Sequence, residues 1–410
     1  MKILIISEPF PGLKNFFYGV TDQDAGQPAF YQVVRHLDKE GHEITIIVPT
    51  DYPHTRQFTI WKNVKVLAYR SILQGDRLKL RERIRLGGLT LKFLSQVFQS
   101  VYFGLKVSRN TSFDLVVGHW EFATLAAFII GCVRKIPNVS RLYGSNLIPR
   151  TGGRLNLKNI LLNLNRVIPF VTPAALYICT QDGTQADKVA RRFKIPKEKF
   201  IHLLNGVERN DVQAFRTEND KINIIFIGHL QSWKNPMRLL ELVPDIIQNH
   251  RNVYFHFVGD GYEEVAMRNF IAYHHLEDFV CVHGRLFQAK KNEILANADI
   301  YVSFYSYSNL CNTLLEALTY GKAILTINEG DTGLVLRDGE NAILLPAWDR
   351  NLALNQLIFL IEHPEVRLKL GTNAQTWASK NLMSWEERAK IEISYYQSVS
   401  LGMLSIPLVD

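Results

Sequence analysis

The sequence predicts an α/β protein with two doubly wound domains in tandem. Three observations carry this. Short apolar runs alternate with segments of helical period along the whole chain. At 410 residues the chain is longer than one core ordinarily serves. A polar stretch from Glu208 to Lys221, E-R-N-D-V-Q-A-F-R-T-E-N-D-K, separates the two halves as a linker would.

In the first half, strands fit residues 2–7, 43–49, 64–70, 115–118, 139–143, 176–180 and 200–204. Between them lie helical patterns. Residues 28–40 open with Pro28, preset for a first helical turn, and stop at Gly41. The apolar run 168–180 is broken by Pro169 and Pro173, so its end reads as a buried strand. In the second half, strands fit 222–228, 253–259, 280–283, 300–304 and 323–327. Helices fit 236–249, 263–274 and 288–296, with another starting near Asn312. Strand–helix alternation implies parallel sheets with helices on both faces. A ligand is expected in the interdomain cleft, since pockets favour domain interfaces.

Composition narrows the class. The chain is 47% hydrophobic and 21% charged, which suits a globular protein. No apolar run reaches the length of a membrane span, and Met1 leads directly into a strand with no signal peptide before it. The four cysteines, Cys132, Cys179, Cys281 and Cys311, show no metal or redox spacing and read as reduced thiols. Cys311 has no basic neighbour in sequence to activate it. A cytoplasmic protein is expected. Charge is uneven: residues 1–200 hold 29 Lys and Arg against 14 acidic residues, whereas the remainder holds 18 against 25. The first half should therefore meet an anionic partner. From Arg77 to Lys106 basic residues interleave with apolar ones, a pattern suited to an anionic membrane surface or to a solvated helix packed on a sheet. No nucleic-acid motif accompanies the charge.

Chemistry concentrates at the carboxyl ends of the expected strands. Between Ser303 and Leu325, a strand, a polar loop and a helix beginning near Asn312 bring Glu316 beside free helix N–H groups. Amides bind an anion and a carboxylate binds hydroxyls, which together suit a nucleotide. A solvated surface Glu is the plainer reading of Glu316 taken alone. Gly228 and His229 lead through a polar loop to Lys234 and a helix start, a phosphate cradle with Lys234 as a point charge; an ordinary loop with an exposed lysine would look the same. Gly259 opens a tight turn. His119 follows a strand and could face the cleft or pack beside Trp120. Gly26, before the first helix, would let a ligand approach the backbone. There is no H-E-x-x-H, so no metal site is expected.

Together these pieces resemble the retaining, nucleotide-sugar-dependent glycosyltransferases of the GT-B fold, family four. The resemblance runs through Gly41-His42-Glu43-Ile44, Asn205-Gly206-Val207-Glu208, Gly228 to Lys234, Gly259-Asp260-Gly261, Val282-His283-Gly284-Arg285, Ala298-Asp299-Ile300, Asn312 to Ala317 with Gly321-Lys322, and Asp338-Gly339-Glu340-Asn341. It implies two Rossmann-like domains: 1–207 for the acceptor, with 384–410 packing back on it, and 208–383 for the nucleotide-sugar donor. By the same resemblance, Lys234 contacts the diphosphate and Glu316 holds the ribose. His283 and Arg285 lie near the base, Gly26 approaches the diphosphate or sugar, and His119 neighbours the reacting centre. The family's motif is Glu, seven residues, then Glu; here Ser308 stands at the first position. His229 replaces the usual Arg after the strand glycine.

The reading is a hexosyltransferase that needs no cofactor or metal and retains anomeric configuration. It would act on a saccharide or lipid-linked acceptor at the inner membrane face, in surface polysaccharide biosynthesis. Ser308 and His229 motivate an alternative, a weakly active or inactive relative that binds nucleotide sugars or acts as a scaffold. A dinucleotide oxidoreductase is disfavoured, because neither first-strand loop supplies G-x-G-x-x-G.

Overall fold

The computed structural model describes residues 1–9, 27–50, 54–72, 89–208 and 221–403. Gly26, residues 77–88 of the basic stretch and most of the linker lie outside them. The chain forms two compact units, one from Met1 to Asn205 joined by the segment that begins at Trp385, the other Gly206–Ser384.

The first unit runs β1 (Lys2–Ser7), α1 (Pro28–Lys39), β2 (Glu43–Thr50), β3 (Arg56–Trp61), β4 (Val64–Arg70), α2 (Leu91–Val107), β5 (Leu115–His119), α3 (Glu121–Arg134), β6 (Asn138–Leu142), α4 (Leu147–Thr151), α5 (Leu157–Leu162), α6 (Leu164–Val171), β7 (Leu176–Thr180), α7 (Ala186–Arg192) and β8 (Phe200–Leu203). Its sheet order is β3-β4-β2-β1-β5-β6-β7-β8. Central strands are buried on both faces, as β1 shows with Ile3, Leu4, Ile5 and Ile6 all sealed from solvent. Ile3 and Ile5 face a core with α1, whereas Leu4 and Ile6 face one with α2 and α3.

The second unit runs β9 (Ile222–Ile227), α8 (Pro236–Leu240), α9 (Val243–Asn249), β10 (Val253–Val258), α10 (Glu264–Tyr273), β11 (Val280–Gly284), α11 (Gln288–Asn297), β12 (Ile300–Ser303), α12 (Asn312–Thr319), β13 (Ala323–Ile327), α13 (Thr332–Val335), β14 (Ile343–Leu345), α14 (Arg350–Glu362) and α15 (Pro364–Asn381). Sheet order is β11-β10-β9-β12-β13-β14, all parallel. The order reverses between β9 and β12, so the loops after these two strands flank a topological switch point.

The last helix, α16 (Trp385–Ser400), belongs to the first unit and packs on α1. A buried charge cluster fixes it there. Arg141 of β6 donates from Nε to Glu392 Oε1 at 2.8 Å, and Arg388 NH1 lies 2.9 Å from Glu392 Oε2. Tyr396 donates its hydroxyl to Glu392 at 2.7 Å, and Arg388 Nε donates to the Leu204 carbonyl. Burial alone would raise the Glu392 pKa, but the two guanidinium groups outweigh it and bring it down to about 2.

Two expectations need correction. The sheet of the first unit is not wholly parallel: β3 runs antiparallel to β4 at the edge. The turn at Lys62 and Asn63 joins them, and so short a connection permits only a hairpin. Residues 236–249 form two helices, α8 and α9, because Pro244 lacks an N–H and sits in the first turn of a new helix. The run 168–180 does end in a buried strand, β7, as expected, and its start, with Pro169, lies in α6.

Candidate active site

The second unit builds its site from the loops after β9 and β12. Ser306 N donates to the Trp233 carbonyl at 2.9 Å, and Asn235 Nδ2 donates to Ser306 Oγ at 2.8 Å. Tyr305 and Thr313 both donate hydroxyls to the carbonyl of Ile227, at 2.8 and 3.1 Å. The two loops are therefore tied into one piece. Between them Lys234 is 6% exposed, its Nζ 3.7 Å from the Tyr305 ring centroid and 4.3 Å from that of Trp233. Trp233 in turn stacks on Tyr307 at 4.9 Å. Aromatic faces attract the ammonium and confine it. Lys234 is thus more buried than the exposed loop lysine of the plainer reading.

Backbone crowding explains the glycines. A side chain on Gly259, whose φ is +142°, would put Cβ 1.9 Å from the Gly228 carbonyl oxygen. A Cβ on Gly228 would sit 2.8 Å from the Tyr305 hydroxyl. His229 is about half exposed, its Nδ1 3.5 Å from Asp260 Oδ1. Tyr262 accepts from Ser232 N at 3.0 Å and lies 2.7 Å from its hydroxyl, which ties the turn after β10 to the lysine loop.

Helix α12 starts without a side-chain cap: Cys311 is its N-cap residue and Asn312 its first. Ser308, three residues earlier in the loop than Cys311, adopts φ +58°, a left-handed conformation rare for serine. Glu316 lies inside α12, largely buried. Its Oε2 is 2.6 Å from Lys291 Nζ, and Oε1 accepts a long 3.4 Å contact from Gln288 Nε2, both on α11. It is therefore not a solvated surface carboxylate. The ion pair holds one oxygen and leaves the other weakly engaged.

Cys311 corrects one expectation. Burial would raise the thiol pKa, but the Lys234 charge, the Thr313 hydroxyl and the Leu314 N–H together bring it below its ordinary value. The basic neighbour comes from a different loop, so the sequence around Cys311 does not reveal it.

On β11, His283 stacks on His256 with ring centroids 5.3 Å apart, and Nε2 meets His256 Nδ1 at 3.0 Å. Asn223 Oδ1 holds the other His256 nitrogen at 3.1 Å. Burial and then the His283 charge press the His256 pKa down to about 4, so this ring is neutral near pH 7. Arg285 follows on the exposed side of Gly284. A groove of about 460 Å³ elsewhere in the unit, lined by Thr319, Gln375 and Ser379 among others, opens at the far end of α12 from Asn312 and is not this site.

In the first unit, His119 is 3% exposed at the end of β5. Its Nδ1 is 2.8 Å from the Tyr143 hydroxyl, and Phe30 meets its ring edge-on. Nε2 has no hydrogen-bond partner among the described residues. Burial, then the Arg141 charge, lowers its pKa to about 3. At neutral pH its ring is therefore uncharged. Nearby, Phe122 N donates to Glu8 Oε1 at 2.9 Å, and burial followed by the Glu121 charge raises the Glu8 pKa to about 8. The adjoining cavity, lined by Trp120, Glu121, Tyr143 and Arg166 among others, is about 40 Å³ and too small for a sugar ring.

The fold is GT-B. Residues 207–377 match the family model of glycosyl transferases group 1. Among solved structures, a sucrose-phosphate synthase of Thermosynechococcus elongatus superposes with TM-score 0.75 at 14% identity, covering 97% of this chain and 99% of that one. Anabaena HepE in complex with UDP and glucose superposes with TM-score 0.66 at 15% identity, covering 96% and 99%. Among relatives, an uncharacterized glycosyltransferase of Methanocaldococcus jannaschii is 28% identical over 173 residues, 42% of this chain and 44% of that protein. A phosphatidylinositol N-acetylglucosaminyltransferase component of Arabidopsis thaliana is 23% identical over 323 residues, 76% of this chain and 69% of that protein.

Of the expected site residues, the loops bring together Gly228, His229, Lys234, Gly259, Ser308, Asn312 and Glu316. His283 and Arg285 sit on the neighbouring strand end. Sequence reasoning missed Lys291, Gln288, Trp233 and Tyr305. Tyr305 and Tyr307 left a trace as aromatics two apart after a strand, but Lys291 left none.

Proposed function

We propose that the chain transfers a hexose from a nucleotide diphosphate sugar to a saccharide or lipid-linked acceptor, with retention and without a divalent metal. One observation carries the reading most: Lys234 is held by aromatic rings beside the uncapped start of α12, with Glu316 a turn further on. A leaving diphosphate gains negative charge, and a prepositioned ammonium with helix amides stabilises that charge as it develops. Glu316 Oε1 offers an acceptor for ribose hydroxyls. With Ser308 in place of a carboxylate, the loop supplies no carboxylate nucleophile, which favours a front-face route in which the diphosphate takes the acceptor proton.

The basic first domain suits an anionic acceptor, as in surface polysaccharide assembly. The relative that acts on phosphatidylinositol, by its name, favours a lipid-bound one. The test is nucleotide release from a panel of UDP-, GDP- and ADP-sugars, with and without a lipid extract and EDTA. Release from one donor, stimulated by lipid and indifferent to EDTA, is expected. Donor binding without release under any condition would favour the second reading, a nucleotide-sugar binding or scaffold protein, which Ser308 and its left-handed backbone motivate.

A further inference from the structure

Several exposed apolar residues of the first unit share one helix face. On α2, Leu91, Leu94, Phe98 and Tyr102 are 43%, 52%, 71% and 54% exposed. Their spacing of three and four places them on one face of the helix. The opposite face, with Phe93, Val97 and Gly104, packs on the sheet. Ile72, 70% exposed, is tied beside this ridge because its N–H donates to Gln99 of α2. The same layer continues through α3, which packs on both α2 and α6. Its far end exposes Leu157, Leu161 and Leu162 on α5 and Val171 on α6. Solitary exposed apolar residues are ordinary, but a ridge repeated along one layer marks an interaction surface.

Charge identifies the occupant. Residues 89–171 carry nine Lys and Arg besides the buried Arg141, against only Asp114 and Glu121. Helix α2 has two lysines and no acidic residue, with Lys106 exposed one turn beyond Tyr102 and Arg109 exposed just past its end. An apolar ridge rimmed by cations matches a bilayer interface: acyl chains take the ridge and anionic headgroups take the rim. A protein partner would have to be both apolar and strongly acidic over the same area. No helix among the described residues is long and apolar enough to cross a membrane, so contact would be in the plane of the surface.

We propose that the outer face of α2, flanked by Lys106 and Arg109, docks the protein on anionic lipid bilayers. The inference stands apart from the catalytic reading, because it concerns the first unit and has its own readout. The test is sedimentation of the full chain with vesicles of phosphatidylcholine alone and of equimolar phosphatidylcholine and phosphatidylglycerol. Binding to the anionic vesicles at low salt, weakened by added salt, is expected. Phe98→Glu with Tyr102→Glu should lower the bound fraction about tenfold or more, without moving the melting temperature or donor binding. Lys106→Glu with Arg109→Glu should weaken binding to the anionic vesicles alone. Absence of wild-type binding to anionic vesicles would overturn the proposal, as would equal binding by the Phe98/Tyr102 variant. So would a concentration-dependent dimer that this variant breaks in the absence of vesicle binding, which would assign the ridge to a second copy.

Discussion

Each unit carries a Gly-His pair at the end of a parallel strand, and the two are used in opposite ways. At the end of β5, Gly118 and His119 are buried beneath Tyr143 and Phe30, beside Arg141 and Glu392. After β9, Gly228 and His229 open a loop that leaves His229 half exposed and confines Lys234 between aromatic rings. The same topology thus yields a sealed charge network in one unit and a preset cation at an uncapped helix start in the other. Strand ends in doubly wound sheets supply positions. What packs over them decides whether the charge there holds structure or meets ligand.

The strongest way to break this contrast is to remove the preset cation. Lys234→Ala should reduce nucleotide release about 100-fold or more, with the fold intact, because charge stabilisation at the leaving group is lost. Lys234→Arg should recover only part, since a planar fork does not match a slot shaped around an ammonium. Turnover within threefold of wild type for Lys234→Ala would mean that the ring-bound lysine is structural.

The sealed side predicts a stability effect. Glu392→Gln leaves Arg141 and Arg388 buried without their counter-charge, which should cost about 3–5 kcal/mol in denaturant unfolding of the first unit. Donor binding by the second unit should persist. Loss of both together would mean that the two units do not behave independently.

The contrast also explains what was legible in the sequence. Strand positions were readable because buried parallel strands are continuous apolar runs, and Gly228, Lys234 and Glu316 because the loops that hold them are local. Arg141 and Glu392 were not readable: they lie 251 residues apart and meet only when α16 returns to the first sheet. Lys291 is a surface-looking helix residue in sequence and becomes visible only through its 2.6 Å contact with Glu316. Cys311 acquired its basic neighbour in the same way, through two loops joined at Ser306 and Trp233. The hairpin strand β3 was missed because edge residues alternate weakly and lie exposed.

A smaller effect sharpens the ligand side. Glu316→Gln should weaken donor affinity about tenfold, the scale of one hydrogen bond to a charged group. Lys291→Met should also weaken it, by freeing the carboxylate from its fixed orientation. If Lys291→Met instead tightens donor binding, the lysine competes with ribose for Glu316, and isothermal titration with UDP separates the two outcomes.

Proton linkage gives a further separation. His119 has a folded pKa near 3 against an ordinary 6.5, so below about pH 6.5 the unfolded chain takes up a proton that the folded one does not. Its contribution is complete above that value and is lost as pH falls toward 3. Glu392, lowered to about 2, adds loss of the same sign below about 4.5. Glu8, raised to about 8, has the opposite sign: its contribution is present below about 4.5 and is lost as pH rises to 8. His119→Gln should therefore flatten the acid side of the stability profile between pH 6 and 4, and Glu8→Gln the alkaline side; the windows follow from those pKa values.

The smallest effect tests the point where the two site loops meet. Cys311 caps α12 next to Thr313, and the Lys234 charge helps lower its thiol pKa despite burial. A thiol pKa below its ordinary value makes it the cysteine of the second unit most open to slow alkylation, whereas at Cys281 burial outweighs the Arg268 charge and leaves the thiol raised. Iodoacetamide labelling followed by peptide mass analysis should modify Cys311 ahead of Cys281, and Lys234→Ala should slow that labelling severalfold by removing the cation. A bound nucleotide diphosphate would neutralise Lys234 and cover the start of α12, so UDP should protect Cys311 and leave exposed Cys132 in the first unit unchanged as the internal control. Protection of neither cysteine would place the diphosphate away from Lys234, and protection of both would point to closure of the whole molecule instead of occupancy of one site.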